Sequence, residues 1–289
     1  MIARNRFLFV AAITVPFAVL VGIVTAYGYR APYWDEYGLI DVMDKYARGE
    51  LPLRNLWTAY SAHRAPVASA VVLGLAQATR FNHAWFLGLT VFLAALTFVA
   101  LAAQLRRTNR ALGTPPLDWR IPLIALMVFS LSQWQIYLWG HLLLTYLCVF
   151  GSVLALVCLD RTEARWSCFA IALLAGVTAS FTYGAGLAIW PTGALHLFLL
   201  RRKLGRRMLV ALLTWGLGAT AVLLAFFHGN PVAAEQAARA DALSRPMAFA
   251  QYVCTYLGGA IMSFNEPAAM YAGGVALVCA AALLLWAVT

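Results

Sequence analysis

Long apolar segments, separated by short polar ones, run along most of the chain. A helix of about 20 apolar residues is long enough to cross the roughly 30 Å hydrocarbon core of a bilayer. The repeated segments therefore predict an all-α fold, a polytopic transmembrane helical bundle. The predicted segments are 7–27, 66–79, 84–105, 121–138, 141–159, 166–182, 185–200, 208–227 and 268–288, with a weaker one at 249–263.

The composition agrees with this interpretation and excludes several other classes of protein. Hydrophobic residues make up 63% of the 289 residues and charged residues 11%, whereas a soluble domain has about 45–50% and about 25%. A soluble fold cannot bury so much apolar surface, and a disordered chain would not contain it. An outer-membrane barrel is excluded as well, because its strands alternate apolar and polar residues over about ten positions.

The first apolar segment sets the orientation of the rest of the chain. Residues 1–6 are short and basic, and 7–27 is longer than the apolar region of a typical signal peptide. We therefore predict a retained first span with a cytoplasmic N-terminus, in a multi-pass protein of the inner (plasma) membrane. Residues 1–289 are expected to form a single transmembrane domain. Because Thr289 falls within an apolar run, we expect the protein to continue beyond it.

Basic residues gather between the apolar segments, and the net charge is +10. Cytoplasmic loops of membrane proteins collect Arg and Lys, so the clusters at 106–120, 161–165 and 201–207 are predicted to be cytoplasmic. The chain has no soluble module in which a basic stripe alternates with aromatic residues, so nucleic acid is not an expected partner. The expected partners are membrane lipids.

This orientation constrains the short apolar segment 66–79. The chain is outside before this segment and inside after 84–105, so an odd number of crossings lies between. We predict that 84–105 crosses and that 66–79, about 21 Å of helix, dips into the membrane or lies along its outer face. If 66–79 crossed as well as 84–105, the later basic loops would face outside.

The polar segment 28–65 is the predicted external loop, and it holds many of the chain's acidic residues. Apolar residues at 39, 40, 43, 46 and 47 fall on one face of a helix, which predicts an amphipathic helix along the membrane surface that ends near Gly49. Asp35 comes just before it. This residue is either the N-cap or a carboxylate held at the membrane boundary as a general base, and the two roles are compatible.

The loop ends with His63 and Arg64, just before the next apolar segment. Two such groups can hold a lipid-linked phosphate, the arginine through paired hydrogen bonds. The alternative is an arginine that extends to lipid headgroups. Aromatic residues of the same loop offer faces on which a sugar can stack, or form an interfacial aromatic belt.

This order of features resembles the GT-C superfamily of membrane glycosyltransferases, which includes the aminoarabinose and protein O-mannosyl transferases. An acidic pair opens the external loop, an amphipathic helix ends in Gly-Glu-Leu-Pro, and a basic residue and a proline precede an apolar helix. Asp35 and Glu36 match the acidic pair. His63-Arg64-Ala65-Pro66 matches the closing Lys/His-Pro-Pro-Leu-like motif without its double proline. The segment 133–141 is similar to the outer-facing segment of a group of bacterial GT-C-like proteins.

The resemblance implies transfer of a sugar from a polyprenyl-phosphate donor to a hydroxyl or amine at the extracytoplasmic face. It implies that Asp35 and Glu36 are catalytic. The residues that it implies to bind substrate are Trp34, Tyr37, His63, Arg64, Gln133 and His141. No cofactor is expected, although a divalent metal stays open because Asp35, Glu36 and His63 are possible ligands without a diagnostic spacing.

Two other classes of function stay open at this point. One is a lipid-linked glycan polymerase or flippase, which acts on the same kind of lipid at the same face. A polymerase is expected to carry a large, Arg-rich external loop late in the chain. The loop at 228–246 has only two arginines, Arg239 and Arg245. The other class is a non-catalytic membrane scaffold, which would tolerate replacement of Asp35 by asparagine.

Overall fold

The structure is a computed structural model. It describes residues 2–33, 36–50, 54–57, 64–114, 118–163, 165–205, 207–228, 244–259, 262 and 265–288. All regular structure in these residues is helical, which confirms the all-α prediction. The chain divides into two compact units, Met1–His228 and Gly229–Thr289.

The helices of the first unit begin and end close to the predicted bounds. Three 3-10 turns, at Leu131–Gln133, Gly140–Leu142 and Gly184–Ala188, adjoin them. The helices are α1 (Ile2–Tyr27), α2 (Glu36–Ala47), α3 (Arg54–Trp57), α4 (Pro66–Thr79), α5 (His83–Ala111), α6 (Arg120–Val128), α7 (Trp134–Leu138), α8 (Leu143–Leu159), α9 (Trp166–Ser180), α10 (Ile189–Leu199), α11 (Arg201–Leu204) and α12 (Arg207–Phe227).

Six helical segments among the described residues are long and apolar enough to cross a bilayer. Five belong to the first unit and one to the second. The helices α9 and α10 are apolar but shorter. The fold is therefore compatible with a multi-pass membrane protein, as the hydrophobic pattern predicts.

The long helices of the first unit alternate in direction, so their turns gather at two ends. At the Glu36 end, where α1 ends and α5 begins, the Tyr29 amide donates a 2.9 Å hydrogen bond to the carbonyl of Leu138, the last residue of α7. At the Asp160 end, where α5 and α8 end, the Asp160 carboxylate lies 3.3 Å from Arg107 Nη1. Each end is thus closed by polar contacts between helices.

The predicted basic clusters share the Asp160 end. His196, near the end of α10, places Nε2 3.9 Å from Asp160 Oδ1. The loop between α5 and α6 is closed there by Asn109, whose Nδ2 donates a 2.6 Å hydrogen bond to Asp118. One common end is what the positive-inside rule requires of loops that all stay in the cytoplasm.

Helix α4 does not run from one end of the unit to the other. Near its start, the Val67 amide donates to the Phe181 carbonyl over 3.1 Å, at the turn after α9. After its last residue, the chain turns through Arg80 and Phe81, which both have positive φ, and α5 begins at the Glu36 end. Both ends of α4 therefore adjoin turns at the same end of the unit. That 66–79 does not complete a crossing stays a prediction.

Helix α2 begins at Glu36, and Gly49 follows it with φ of 70°, the left-handed conformation expected just past a helix end. Its predicted apolar face is only partly covered. Met43 packs against a cluster formed by α4, α5 and α8, whereas Ile40 and Tyr46 are exposed. The helix is thus attached to the bundle through the middle of that face.

The main core of the first unit lies between α8, α9, α10 and α12. Trp215 is 1% exposed, and its Nε1 donates to the Trp190 carbonyl over 2.8 Å. Trp190 in turn donates to Ser180 Oγ over 2.9 Å. Both indole N–H groups are therefore satisfied inside the core, which fixes α12 against α9 and α10.

The second unit contains α13 (Pro246–Gly259) and α14 (Glu266–Val288), close to the two last predicted segments. The helices pack in direct backbone contact. A Cβ atom built on Gly258 would lie 1.8 Å from the Ala269 carbonyl oxygen. Glycine is required at this crossing because no side chain fits between the two backbones.

Candidate functional site

Glu36, one of the two predicted catalytic residues, is buried at the start of α2, with 2% of its surface exposed. Its Oε2 accepts a 2.9 Å hydrogen bond from the Tyr33 amide. Its Oε1 accepts a 2.6 Å hydrogen bond from the His141 amide, 105 residues away in the chain. Both carboxylate oxygens are therefore bonded to main-chain amides, one local and one distant.

The turn before α2 is closed from both sides. The Glu36 amide donates to the Tyr33 carbonyl over 3.2 Å, while the Glu36 side chain accepts from the Tyr33 amide. This reciprocal arrangement resembles the acidic half of a capping box. The Tyr33 ring is held as well, since it stacks on Tyr29 at 4.7 Å and meets Trp139 edge-on at 5.6 Å.

His83, the first residue of α5, lies against the same carboxylate. Its Nδ1 is 3.7 Å from Glu36 Oε2, and the residue is 4% exposed. The rings of Phe81 and Phe86 flank the imidazole, with centroids 4.8 and 5.6 Å away. Among the described residues, neither ring nitrogen of His83 has a hydrogen-bond partner.

Gly140 completes this group of residues, which we call the Glu36 cluster: Glu36, His83, Gly140 and His141. A Cβ atom on Gly140 would lie 3.1 Å from Glu36 Oε1, 3.1 Å from Phe86 Cβ and 3.5 Å from His83 Nδ1. The two separations of 3.1 Å are tighter than ordinary van der Waals contact. The glycine thus allows the backbone at 140–141 to approach the carboxylate.

Burial raises the pKa of the Glu36 carboxyl above its usual range, and the amides of Tyr33 and His141 oppose this increase by stabilising the charged form. A carboxyl group enclosed in this way is suited to holding segments of the chain in place. Its catalytic role stays a prediction.

Arg64, the predicted phosphate ligand, is also buried, with 4% of its surface exposed. Its Nη2 donates a 2.7 Å hydrogen bond to the His228 carbonyl after α12. Its guanidinium carbon lies 5.4 Å from the centre of the Trp57 ring, within the range of a cation–π contact. Within the described parts of the chain, Arg64 Nε has no hydrogen-bond partner, and no carboxylate forms an ion pair with Arg64.

An open apolar groove of about 890 Å³ lies beside Arg64. It follows the last two turns of α12, whose residues in the groove are alanine, leucine and phenylalanine. Trp57 and His228, which both contact Arg64, line the same groove. A buried cation therefore stands next to a surface suited to a hydrocarbon chain.

The other predicted site residues have separate environments. Tyr37 is 63% exposed. Gln133 Oε1 accepts from the Tyr146 hydroxyl over 3.2 Å, and its Nε2 donates to the Met127 carbonyl over 3.3 Å. The remaining site residues, Trp34, Asp35 and His63, lie outside the described residues.

The structure brings Glu36 and His141 together, but it does not place Arg64 with them. Arg64 precedes the first residue of α4, and His83 follows its last turn. The 14 residues of α4 correspond to about 21 Å of helix. The arginine and the Glu36 cluster are therefore two groups separated by the length of α4.

Sequence reasoning missed His83, Gly140 and His228. The sequence does mark the position of His83, because this residue ends a short, mostly polar stretch, Arg80-Phe81-Asn82-His83, directly before an apolar segment. No local pattern marks Gly140 or the His228 carbonyl. In the described part of the chain, no three His, Cys, Asp or Glu residues form a group that could hold a metal ion.

Comparisons with protein-family models, with curated proteins and with solved structures give no match to this chain.

Proposed function

We propose that the protein is a membrane glycosyltransferase of the GT-C type, which moves a sugar from a polyprenyl-phosphate donor to a hydroxyl or amine acceptor. In this proposal the Glu36 end faces the extracytoplasmic side of the inner (plasma) membrane, and the N-terminus lies in the cytoplasm. The basic clusters at the Asp160 end support this orientation.

The observation that carries the proposal is the environment of Arg64. A buried guanidinium is unfavourable without an anionic partner, because burial removes the water that stabilises its charge, and the described residues supply no carboxylate to Arg64. Its cation–π contact with Trp57 and its hydrogen bond to the His228 carbonyl offset only part of that cost. A phosphate completes the set, and the apolar groove on α12 accepts the chain to which that phosphate is attached.

The chemistry assigns different roles to the two acidic residues. Asp35 removes the acceptor proton as the acceptor oxygen or nitrogen bonds to the sugar carbon. The bond between that carbon and the phosphate oxygen breaks, and polyprenyl phosphate leaves. Arg64 stabilises the negative charge that develops on the leaving phosphate. Glu36, with both oxygens bonded to main-chain amides, positions the start of α2.

The length of α4 between Arg64 and the Glu36 cluster adds a requirement. The donor phosphate and the acceptor side of the reaction must come together when the donor binds, as lids and loops do in many enzymes. We expect donor to slow the labelling of a cysteine placed at Tyr37, which is exposed. Labelling that is unchanged at saturating donor would contradict this step.

The decisive experiment is a transfer assay in membranes with labelled polyprenyl-phosphate sugars. Asp35→Asn should abolish turnover while the protein stays folded and abundant, because the amide cannot accept the proton. Arg48→Ala is the matched control, since Arg48 is an exposed arginine of the same loop, ion-paired to Asp44 and Glu50, and such pairs contribute little.

The alternatives predict different results in the same assay. A flippase moves the labelled lipid across the membrane without forming a new glycosidic bond, and a polymerase extends a lipid-linked glycan. A scaffold gives no product and tolerates Asp35→Asn in any assay of assembly. Equal transfer by the wild type and Asp35→Asn would refute the catalytic assignment.

A further inference from the structure

Three segments of the first unit meet at one buried carboxylate. These are the turn before α2, the start of α5 and the backbone at 140–141. Two of them, the turn and residue 141, reach Glu36 through main-chain amides. The third, α5, reaches it through the side chain of His83, whose Nδ1 lies 3.7 Å from Oε2.

We propose that His83 is a positioning residue, which holds Glu36 and through it the hydrogen bonds between Glu36 and Tyr33, the two described residues that flank Trp34 and Asp35 in the sequence. This inference rests on the proposed function, because it assigns to His83 a role in presenting the catalytic carboxylate. It goes beyond that function in naming a residue of α5 as part of the machinery.

The hydrogen-bonding capacity of His83 supports this role. A neutral imidazole has one N–H donor and one acceptor nitrogen. A buried donor that stays unsatisfied is costly, and Glu36 Oε2 is the nearby acceptor that the structure supplies. A shift of less than 1 Å brings Nδ1 within the usual hydrogen-bond distance of about 3 Å.

The surroundings of His83 restrict how it can move. Phe81 and Phe86 flank the ring on two sides. Phe81 belongs to a turn in which two consecutive non-glycine residues have positive φ, 52° at Arg80 and 59° at Phe81. Such backbone conformations are unfavourable and persist only where the surrounding structure enforces them. The turn thus places an aromatic ring against His83 at an energetic cost.

The hydrogen bonds of Glu36 carry the effect to Tyr33, on the other side of position 35 in the sequence. Glu36 is joined to Tyr33 by two hydrogen bonds, one from its own amide and one to its side chain. A displacement of the Glu36 carboxylate therefore breaks or lengthens the bond that closes the turn. Residues 34 and 35 lie between the two bonded residues in the chain.

The test compares His83→Phe, His83→Gln and Asn82→Ala in full-length protein. Phenylalanine keeps the ring shape without a donor, and glutamine keeps an N–H donor. Asn82→Ala is the matched control, because Asn82 caps the same helix by accepting a hydrogen bond from the Ala84 amide. It reports general damage to the start of α5.

Two readouts are measured on each variant. The first is kcat and KM in the transfer assay. The second is the rate of maleimide labelling at Asp35→Cys in a background without the five native cysteines, which needs no activity. We expect His83→Phe to lower kcat roughly 10- to 100-fold, as small misplacements of catalytic groups do, with KM for the donor nearly unchanged. It should also change the labelling rate severalfold.

His83→Gln should restore most of both quantities, and Asn82→Ala should alter neither. The inference is overturned if His83→Phe leaves the labelling rate at position 35 unchanged, or if Asn82→Ala reproduces its effects. The proposed function fails separately if the wild type shows no sugar transfer with any donor tested, while the labelling rates of the variants differ as expected. Transfer that is insensitive to His83→Phe leaves the function in place and removes His83 from it.

Discussion

A methyl group added at Gly140 tests the geometry of the Glu36 cluster. In Gly140→Ala the new Cβ meets Glu36 Oε1 at 3.1 Å and Phe86 Cβ at 3.1 Å, both on buried residues. The carboxylate must move by a few tenths of an ångström. Since Gly140 precedes His141 in the chain, that movement lengthens the 2.6 Å hydrogen bond from the His141 amide to Oε1.

The expected cost follows from these contacts. Overpacking a well-packed site costs about 1–3 kcal/mol. The hydrogen bond from His141 is weakened but not broken, and its weakening is part of this cost. For a unit of this size each kcal/mol corresponds to about 2–4 °C in Tm. Multiplying this cost by the shift per kcal/mol, we expect Gly140→Ala to lower the Tm by roughly 2–12 °C in a thermal unfolding assay in detergent.

Gly88→Ala is the control, because a Cβ there meets nothing within 4 Å and Gly88 lies inside α5. Alanine favours the helix over glycine by about 0.5–1 kcal/mol, so the midpoint should rise slightly. In a Glu36→Ala background, the cost of Gly140→Ala should shrink because the methyl group no longer meets a carboxylate. Equal costs in both backgrounds would refute the contact.

Three further results are expected. Arg64→Ala should slow transfer roughly 30- to 1000-fold, about 2–4 kcal/mol for one lost contact to the developing charge. Arg64→Lys should recover only part of this rate because it lacks the planar fork; full recovery, or a loss of abundance alone, would indicate a lipid anchor. The raised pKa of Glu36 contributes stability that is complete below its unfolded value of about 4.3 and lost as the pH rises through the folded value. Glu36→Gln should thus destabilise more at pH 5 than at pH 8 in denaturant titrations, and the reverse order would contradict the assignment. Reporter fusions at Asn82 and Asn109 should lie on opposite sides of the membrane with Asn109 in the cytoplasm, and an external Asn109 would overturn the orientation.

Much of the helical architecture follows from the hydrophobic pattern. The segment predicted at 66–79 has the same bounds as α4, and 208–227 differs from α12 by one residue. The pattern works because apolar runs and their polar ends are local properties of a chain in a bilayer. It does not show breaks within a run, so the predicted segment 121–138 is divided by a 3-10 turn at Leu131–Gln133.

The candidate site could be predicted only in part. Arg64 was identified from its place in the predicted external loop, and Glu36 through the resemblance to GT-C glycosyltransferases. Their partners lie 164 and 105 residues away in the chain. Contacts over such separations depend on which helices are neighbours, and hydrophobic periodicity carries no information about that. His83 was missed for a related reason, since a histidine at a helix start has no distinctive pattern until its distant partner is known.

The course of α4 makes residues 28–82 an excursion that leaves and re-enters the bundle at the same end. The direction in which α5 enters is therefore independent of how long this excursion is or what it contains. Insertions or exchanges within 28–82 would change what the Glu36 end presents without inverting any later helix. The sequence of 28–82 can therefore change independently, while the helices from α5 onward keep their orientation.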